Sequence, residues 1–118
     1  MIIDTHVHFG DPSHPHELLY RTELPSAYEQ VAIPHGITGV IHSETLGGPE
    51  ENRWILDLAA SNPLIRGMVG SLQPASPEFV GHLDEFAASP LFCGIRVHDL
   101  EAGFADGGSG YLRNLEML

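Results

Sequence analysis

Short apolar runs alternate with amphipathic stretches along this chain. Ile2 to Val7 (IIDTHV) reads as a strand. The polar, Pro-rich stretch from Phe9 to Pro25 that follows is too long for a simple strand-to-helix turn and reads as a functional loop. A helix is expected from about Ser26 to Gly36, where glycine adopts a left-handed conformation freely. Gly39 to Ser43 (GVIHS) is the second strand. Glu50 to Ser61 sets Trp54, Ile55, Leu58 and Ala59 at helical spacing, with Pro49 at its start and Asn62-Pro63 to stop it. Ile65 to Leu72 is a third strand, and Ser76 to Ala88 a third helix with Ser76 as its N-cap. Phe92 to Val97 is the fourth strand, and Tyr111, Leu112, Leu115 and Leu118 begin a fourth helix.

Strands that alternate with helices of this length predict an α/β fold, a parallel sheet covered by helices, with strands near 2–7, 39–43, 65–72 and 92–97. Four such units form either a small doubly wound sheet or the first half, (βα)4, of an eight-unit TIM barrel of about 250 residues. The second reading is favoured, because HVHFGD after the first strand offers no phosphate-binding turn and the chain stops inside a helix. Residues 1–118 are then the N-terminal half of one barrel domain whose C-terminal half is absent. A half-barrel leaves two strand edges and an inner face unpaired, so the chain alone is expected to be either marginally stable or self-associating as a homo-oligomer.

Parity along the strands sorts the polar residues. Asp4, His6 and His8 fall on one side of the first strand, and Ile3, Thr5 and Val7 on the other. On the second strand Val40, His42 and Glu44 share a parity, and on the fourth Arg96 and His98 do, opposite Ile95 and Val97. The polar sets are expected to face the barrel interior at the C-terminal ends of the strands, where α/β barrels carry their active sites. Two imidazoles at i and i+2, with Cα atoms about 6.5 Å apart, can converge on one cation. His6 and His8 are the candidate metal ligands, and His42, Glu44, Arg96 and His98 the candidate catalytic residues. An inward Arg96 needs an anionic partner, either Glu44 or a substrate carboxylate.

Composition narrows the classes. Sixteen acidic residues against five Lys plus Arg give a formal net charge of −11, a field that repels nucleic acid. No run of 18 apolar residues and no signal-peptide pattern occur, so a cytoplasmic protein without membrane contact is expected. The single Cys93 excludes an internal disulfide and a cysteine-based zinc knot. Eight histidines are the oddity. Each has a plain reading. The His6/His8 pair could bond neighbouring carbonyls, His42 and His98 could be solvated rim residues, and Arg96 could form a structural ion pair. His14 and His16 read as loop residues, His35 as a helix-end residue and His82 as surface. Trp54, Phe79 and Phe86 read as packing residues, and the run Gly107, Gly108, Ser109, Gly110 as a linker.

The stretches IIDTHVHF, PEENRWILDLAASNPLIRGMVGSLQPASPEF and FCGIRVHDL resemble the amidohydrolase-related TIM-barrel family, and within it the lactonase branch with fuconolactonase-type and pyrone-dicarboxylate-lactonase-type enzymes. The resemblance spans nearly the whole chain. It implies a hydrolase that opens a lactone, ester or amide with an activated water. His6 and His8 would hold a divalent metal, zinc or manganese, or polarise the carbonyl directly. Arg96 would bind a carboxylate- or hydroxyl-bearing small molecule, Glu44 would be the polar group ending the second strand, and the loop from Phe9 to Leu24 would close over the substrate. The family's later ligands and catalytic Asp would lie past Leu118. A decarboxylase of the same superfamily and a non-catalytic βα interaction module are the alternatives.

Overall fold

In the computed structural model four parallel strands form one sheet in the order β1-β2-β3-β4: β1 Ile2–Val7, β2 Ile37–Ser43, β3 Ile65–Ser71 and β4 Phe92–Arg96. The described residues are 1–13, 24–45, 47–98, 100–101 and 109–118. The candidate loop histidines His14 and His16, most of the proposed closing loop, and Gly107 and Gly108 of the expected linker lie outside them, while Ser109 and Gly110 open the last helix.

Sequential strands that neighbour one another without a reversal do not make a doubly wound sheet, whose order turns back at a switch point. Right-handed crossovers then place every helix on the same face. Helices α1 (Pro25–Ala32), α2 (Gly48–Ser61) and α3 (Phe79–Ala87) all pack there, and α4 (Ser109–Leu115) follows β4. This is the (βα)4 half of a barrel.

The core lies between the sheet and these helices. One buried cluster gathers Val7, Phe9, Val40, Ile55, Leu64, Ile65 and Met68, with Tyr28 and Trp54 packed on it. A second gathers Leu72, Phe79, Leu83 and Phe86, and the two share Leu56 and Phe92. Trp54, Phe79 and Phe86 are therefore packing residues, as their spacing indicates.

Local signals explain the element ends. Helix α1 passes into a 3-10 turn over Ile33–His35 and stops at Gly36, which takes φ +78°. Pro49 stands in the first turn of α2, where a missing N–H costs no intrahelical bond. Ser76 does not cap α3. The backbone N–H groups of Ser76 and Phe79 bond to the carbonyls of Gln73 and Ser76, so consecutive turns fill residues 73–79 and the helix begins at Phe79.

The expected side-chain parity needs correction on two strands. Val40 and His42 do not face the open side: both are fully buried against α2. Val40 and Ile41 make both parities of β2 partly apolar, as in strands covered on two faces, and the buried polar partner on α2 was not legible in the strand pattern. On β1 the pairing register shifts between Asp4 and Val7. Asp4 turns to α1, where its carboxylate accepts a 2.6 Å bond from the Tyr28 hydroxyl, while Val7 stays in the core. No helix among the described residues is long and apolar enough to cross a membrane.

Candidate active site

Five of the six candidate residues lie at the C-terminal ends of β1, β2 and β4, in two groups: His6 with His8, and Glu44 with Arg96 and His98. His6 and His8 lie side by side, His6 exposed and His8 half-buried, with ring centroids 4.9 Å apart and Nε2 atoms 3.2 Å apart. The second nitrogen of His8 is fixed: Nδ1 is 2.8 Å from the Ser43 carbonyl oxygen at the end of β2. A carbonyl only accepts, so Nδ1 carries the proton and Nε2 presents its lone pair.

That geometry fits two ligands of one cation. Nitrogens bound to a tetrahedral zinc at about 2.0–2.1 Å stand roughly 3.3–3.4 Å apart. An N–H held by a backbone carbonyl on the far side of the ring is the usual support of a ligating histidine. Among the described residues no group of three or more His, Cys, Asp and Glu side chains gathers as a complete metal site.

Glu44 follows β2 and leans across the rim to the end of β4. Its backbone N–H continues the ladder to the Val69 carbonyl, and its carboxylate is almost fully buried. Oε1 lies 2.6 Å from His98 Nε2 and 3.7 Å from Arg96 Nε. The guanidinium of Arg96 is about half exposed. Burying a carboxylate is costly unless charge and hydrogen bonds answer it, and here one histidine and one arginine do. The anionic partner that an inward Arg96 requires is thus present within the chain. Ile95 packs on the helix side, as its parity indicates.

His42 is the sixth candidate, and the fold sets it behind the rim. Its ring stacks on Phe9 with centroids 6.0 Å apart, and its Nδ1 accepts the Phe9 backbone N–H at 3.2 Å. Nδ1 is therefore unprotonated in that bond, and Nε2 donates to Glu51 Oε1, also at 3.2 Å. With no solvent exposure the ring touches only protein.

Sequence reasoning passed over Glu51 and Asn52, the buried polar pair in the first turn of α2. Glu51 accepts from the Thr45 backbone N–H at 2.8 Å, the Thr45 hydroxyl at 2.6 Å and the Gly47 N–H at 2.8 Å. Burial alone would push its carboxyl up, but the bonds from His42, Thr45 and Gly47 more than reverse this and hold it below the ordinary value. Asn52 brackets the end of β3: its Oδ1 accepts the Ser71 N–H at 2.9 Å and its Nδ2 donates to the Ser71 carbonyl at 3.1 Å. A signal existed. Glu51 stands four residues before Ile55, on the stripe that faces the core, where a glutamate is rarely placed without partners.

Asp4 supports the rim from below. The Tyr28 hydroxyl first, and then the His6 backbone N–H at 3.1 Å, hold its carboxyl below the usual range. Burial and the same bond to Asp4 raise the Tyr28 phenol to about 12.

A half-barrel with polar groups converging at the C-terminal rim of its strands defines the class: an α/β barrel arrangement of the kind that carries catalytic sites there. Two solved structures share this fold, both of an amidohydrolase from Burkholderia multivorans, one with bound zinc and one with bound HEPES. Each superposes with a TM-score of 0.79 at 22% identity, over 98% of this chain and 44% of the longer protein. The chain thus spans less than half the length of the structures it matches. No family model and no curated protein matches it.

Proposed function

We propose that this chain carries the metal-binding and substrate-gripping half of a hydrolase active site of the amidohydrolase type. One observation carries the reading: the His6 and His8 Nε2 atoms converge to 3.2 Å, with His8 Nδ1 tied to the Ser43 carbonyl, at the strand rim of a half-barrel. Kinship of fold with a zinc-bound amidohydrolase supports it.

His6 and His8 hold a divalent cation, zinc or manganese, which when bound supplies Lewis acidity for a carbonyl and an activated water. Arg96, half exposed and only loosely engaged by Glu44 at 3.7 Å, grips a carboxylate or hydroxyl of a small-molecule substrate. His98 donates from Nε2 to Glu44, so Nδ1 is its basic side and can take a proton at the rim; Glu44 orients the ring. His42 is a positioning residue. The substrate bond broken is a lactone, ester or amide, with the lactone reading resting on the resemblance of IIDTHVHF, NPLIRGMVG and FCGIRV. Residues 1–118 form the N-terminal half of the domain, and the remaining ligands and the general base belong to the other half.

Titration calorimetry with zinc and with manganese, on the chain and on the His6→Ala/His8→Ala variant, tests the reading. Binding that disappears in the double variant is expected. Equal binding by both proteins, or none by either, would overturn the proposed metal role.

A further inference from the structure

We propose that the buried Glu51–His42 pair is a positioning device that fixes the ring of His8 for metal binding. The proposal rests on the reading of His8 as a ligand for its consequence, and on bonds within the chain for its mechanism.

Three observations carry it. His8 follows the end of β1 and Ser43 ends β2, so the Nδ1–H bond from His8 to the Ser43 carbonyl survives only while the two strand ends keep their relative placement. Each partner is flanked by backbone that the pair grips. Phe9, next after His8, donates its N–H to His42 Nδ1. Thr45 and Gly47, just beyond Ser43, donate their N–H groups to Glu51, and the Thr45 hydroxyl adds a third bond. His42 itself immediately precedes Ser43 and donates to Glu51, so one carboxylate on α2 closes a ring of contacts around the His8–Ser43 bond.

The third observation concerns cost. His42 is wholly buried and Glu51 nearly so. Well-packed apolar residues often match or exceed a buried ionisable pair in stability. A polar pair whose bonds run to the backbone on both sides of the His8–Ser43 contact specifies geometry. Because Phe9 N–H leaves His42 a single tautomer, and the Ser43 carbonyl leaves His8 one, the two rings are set by the same framework.

The test is nitrogen-15 NMR of the imidazoles in the full chain without metal, followed by zinc titration of the same samples. In the wild-type chain His8 is expected to be protonated at Nδ1. Glu51→Gln replaces one acceptor oxygen with an NH2 group that faces N–H donors. It should turn His8 into a mixture of tautomers and weaken zinc binding about 10- to 100-fold, the usual effect of losing a ligand's support. Thr45→Val removes only the hydroxyl donor and serves if Glu51→Gln does not fold; a partial shift in the same direction is expected. Arg53→Ala, on the same turn of α2 but outside the network, should leave the His8 signals unchanged. A folded Glu51→Gln or Thr45→Val chain with His8 still in one tautomer overturns the proposal. A wild-type chain that binds no zinc, beside a Glu51→Gln chain that shows the tautomer shift, would instead retain the positioning role and refute the ligand reading.

Discussion

Asn52 and Arg53 are adjacent on α2 and make an opposed pair of predictions. Asn52→Ala removes the two bonds that bracket Ser71, leaving its N–H and C=O without their side-chain partner. An unsatisfied buried polar group costs about 1–3 kcal/mol. Ser71 is half-buried, so the two losses together take the lower part of that range, and the vacated space beside Gly70, whose Cα side faces Asn52 Oδ1, adds to it. The expected loss is about 2–4 kcal/mol, against a total of roughly 6–18 kcal/mol for a domain of this length. Arg53 holds Glu85 through Nε at 2.6 Å and Nη2 at 2.8 Å, and lies 5.7 Å from the Phe86 ring centre, yet both charged side chains are about two-fifths exposed. Water and salt screen such a pair, so Arg53→Ala should cost less than half as much, and less again as salt is raised. Urea unfolding followed by the fluorescence of Trp54, the single tryptophan, reads both variants. If Arg53→Ala proves as damaging as Asn52→Ala, the reasoning from burial fails.

Acid should unfold the chain through carboxylates held below their ordinary values. The contribution of Asp4 and Glu51 is complete above the unfolded carboxyl range, about 3.9–4.3, and is lost as pH falls through their lower folded values. Asp4→Asn should therefore flatten the acid limb of a stability–pH curve, and an unaltered limb would contradict this. Tyr28 acts at the other end: its contribution is complete below pH about 10 and is lost as pH rises through about 12, so Tyr28→Phe should flatten the alkaline limb. Gly36→Ala should cost about 1 kcal/mol, because at φ +78° the new methyl meets only ordinary contact with Ile2 and the penalty is conformational. Gly81→Ala, within α3 and with nothing within 4 Å of the added carbon, should stabilise by about 0.5–1 kcal/mol; thermal melts of the two variants should move in opposite directions.

The pattern of apolar runs located all four strands and the parallel α/β arrangement, because strand-to-helix periodicity is a local property of the sequence. Ile37 and Thr38 extend β2 beyond the expected start at Gly39, since pairing with β1 recruits them. The closeness of His6 and His8 was legible from their i, i+2 spacing alone. The support of His8 by the Ser43 carbonyl was not, since it joins residues 35 positions apart through backbone. His42 shows the limit of alternation. Its polarity suggested the open face, yet a carboxylate from α2 makes the helix side hospitable, and only the packing of Glu51 reveals it. Glu44, Arg96 and His98 share a parity at the strand ends, and in the fold Glu44 meets both of the others.

The central claim is that His6 and His8 share one cation. Crystals of the chain soaked in zinc and measured across the zinc absorption edge test it directly. The account predicts an anomalous peak at about 2.0–2.1 Å from both Nε2 atoms, with His8 Nδ1 still on the Ser43 carbonyl. A map with no peak between the two rings, their nitrogens bonded only to each other, would contradict it.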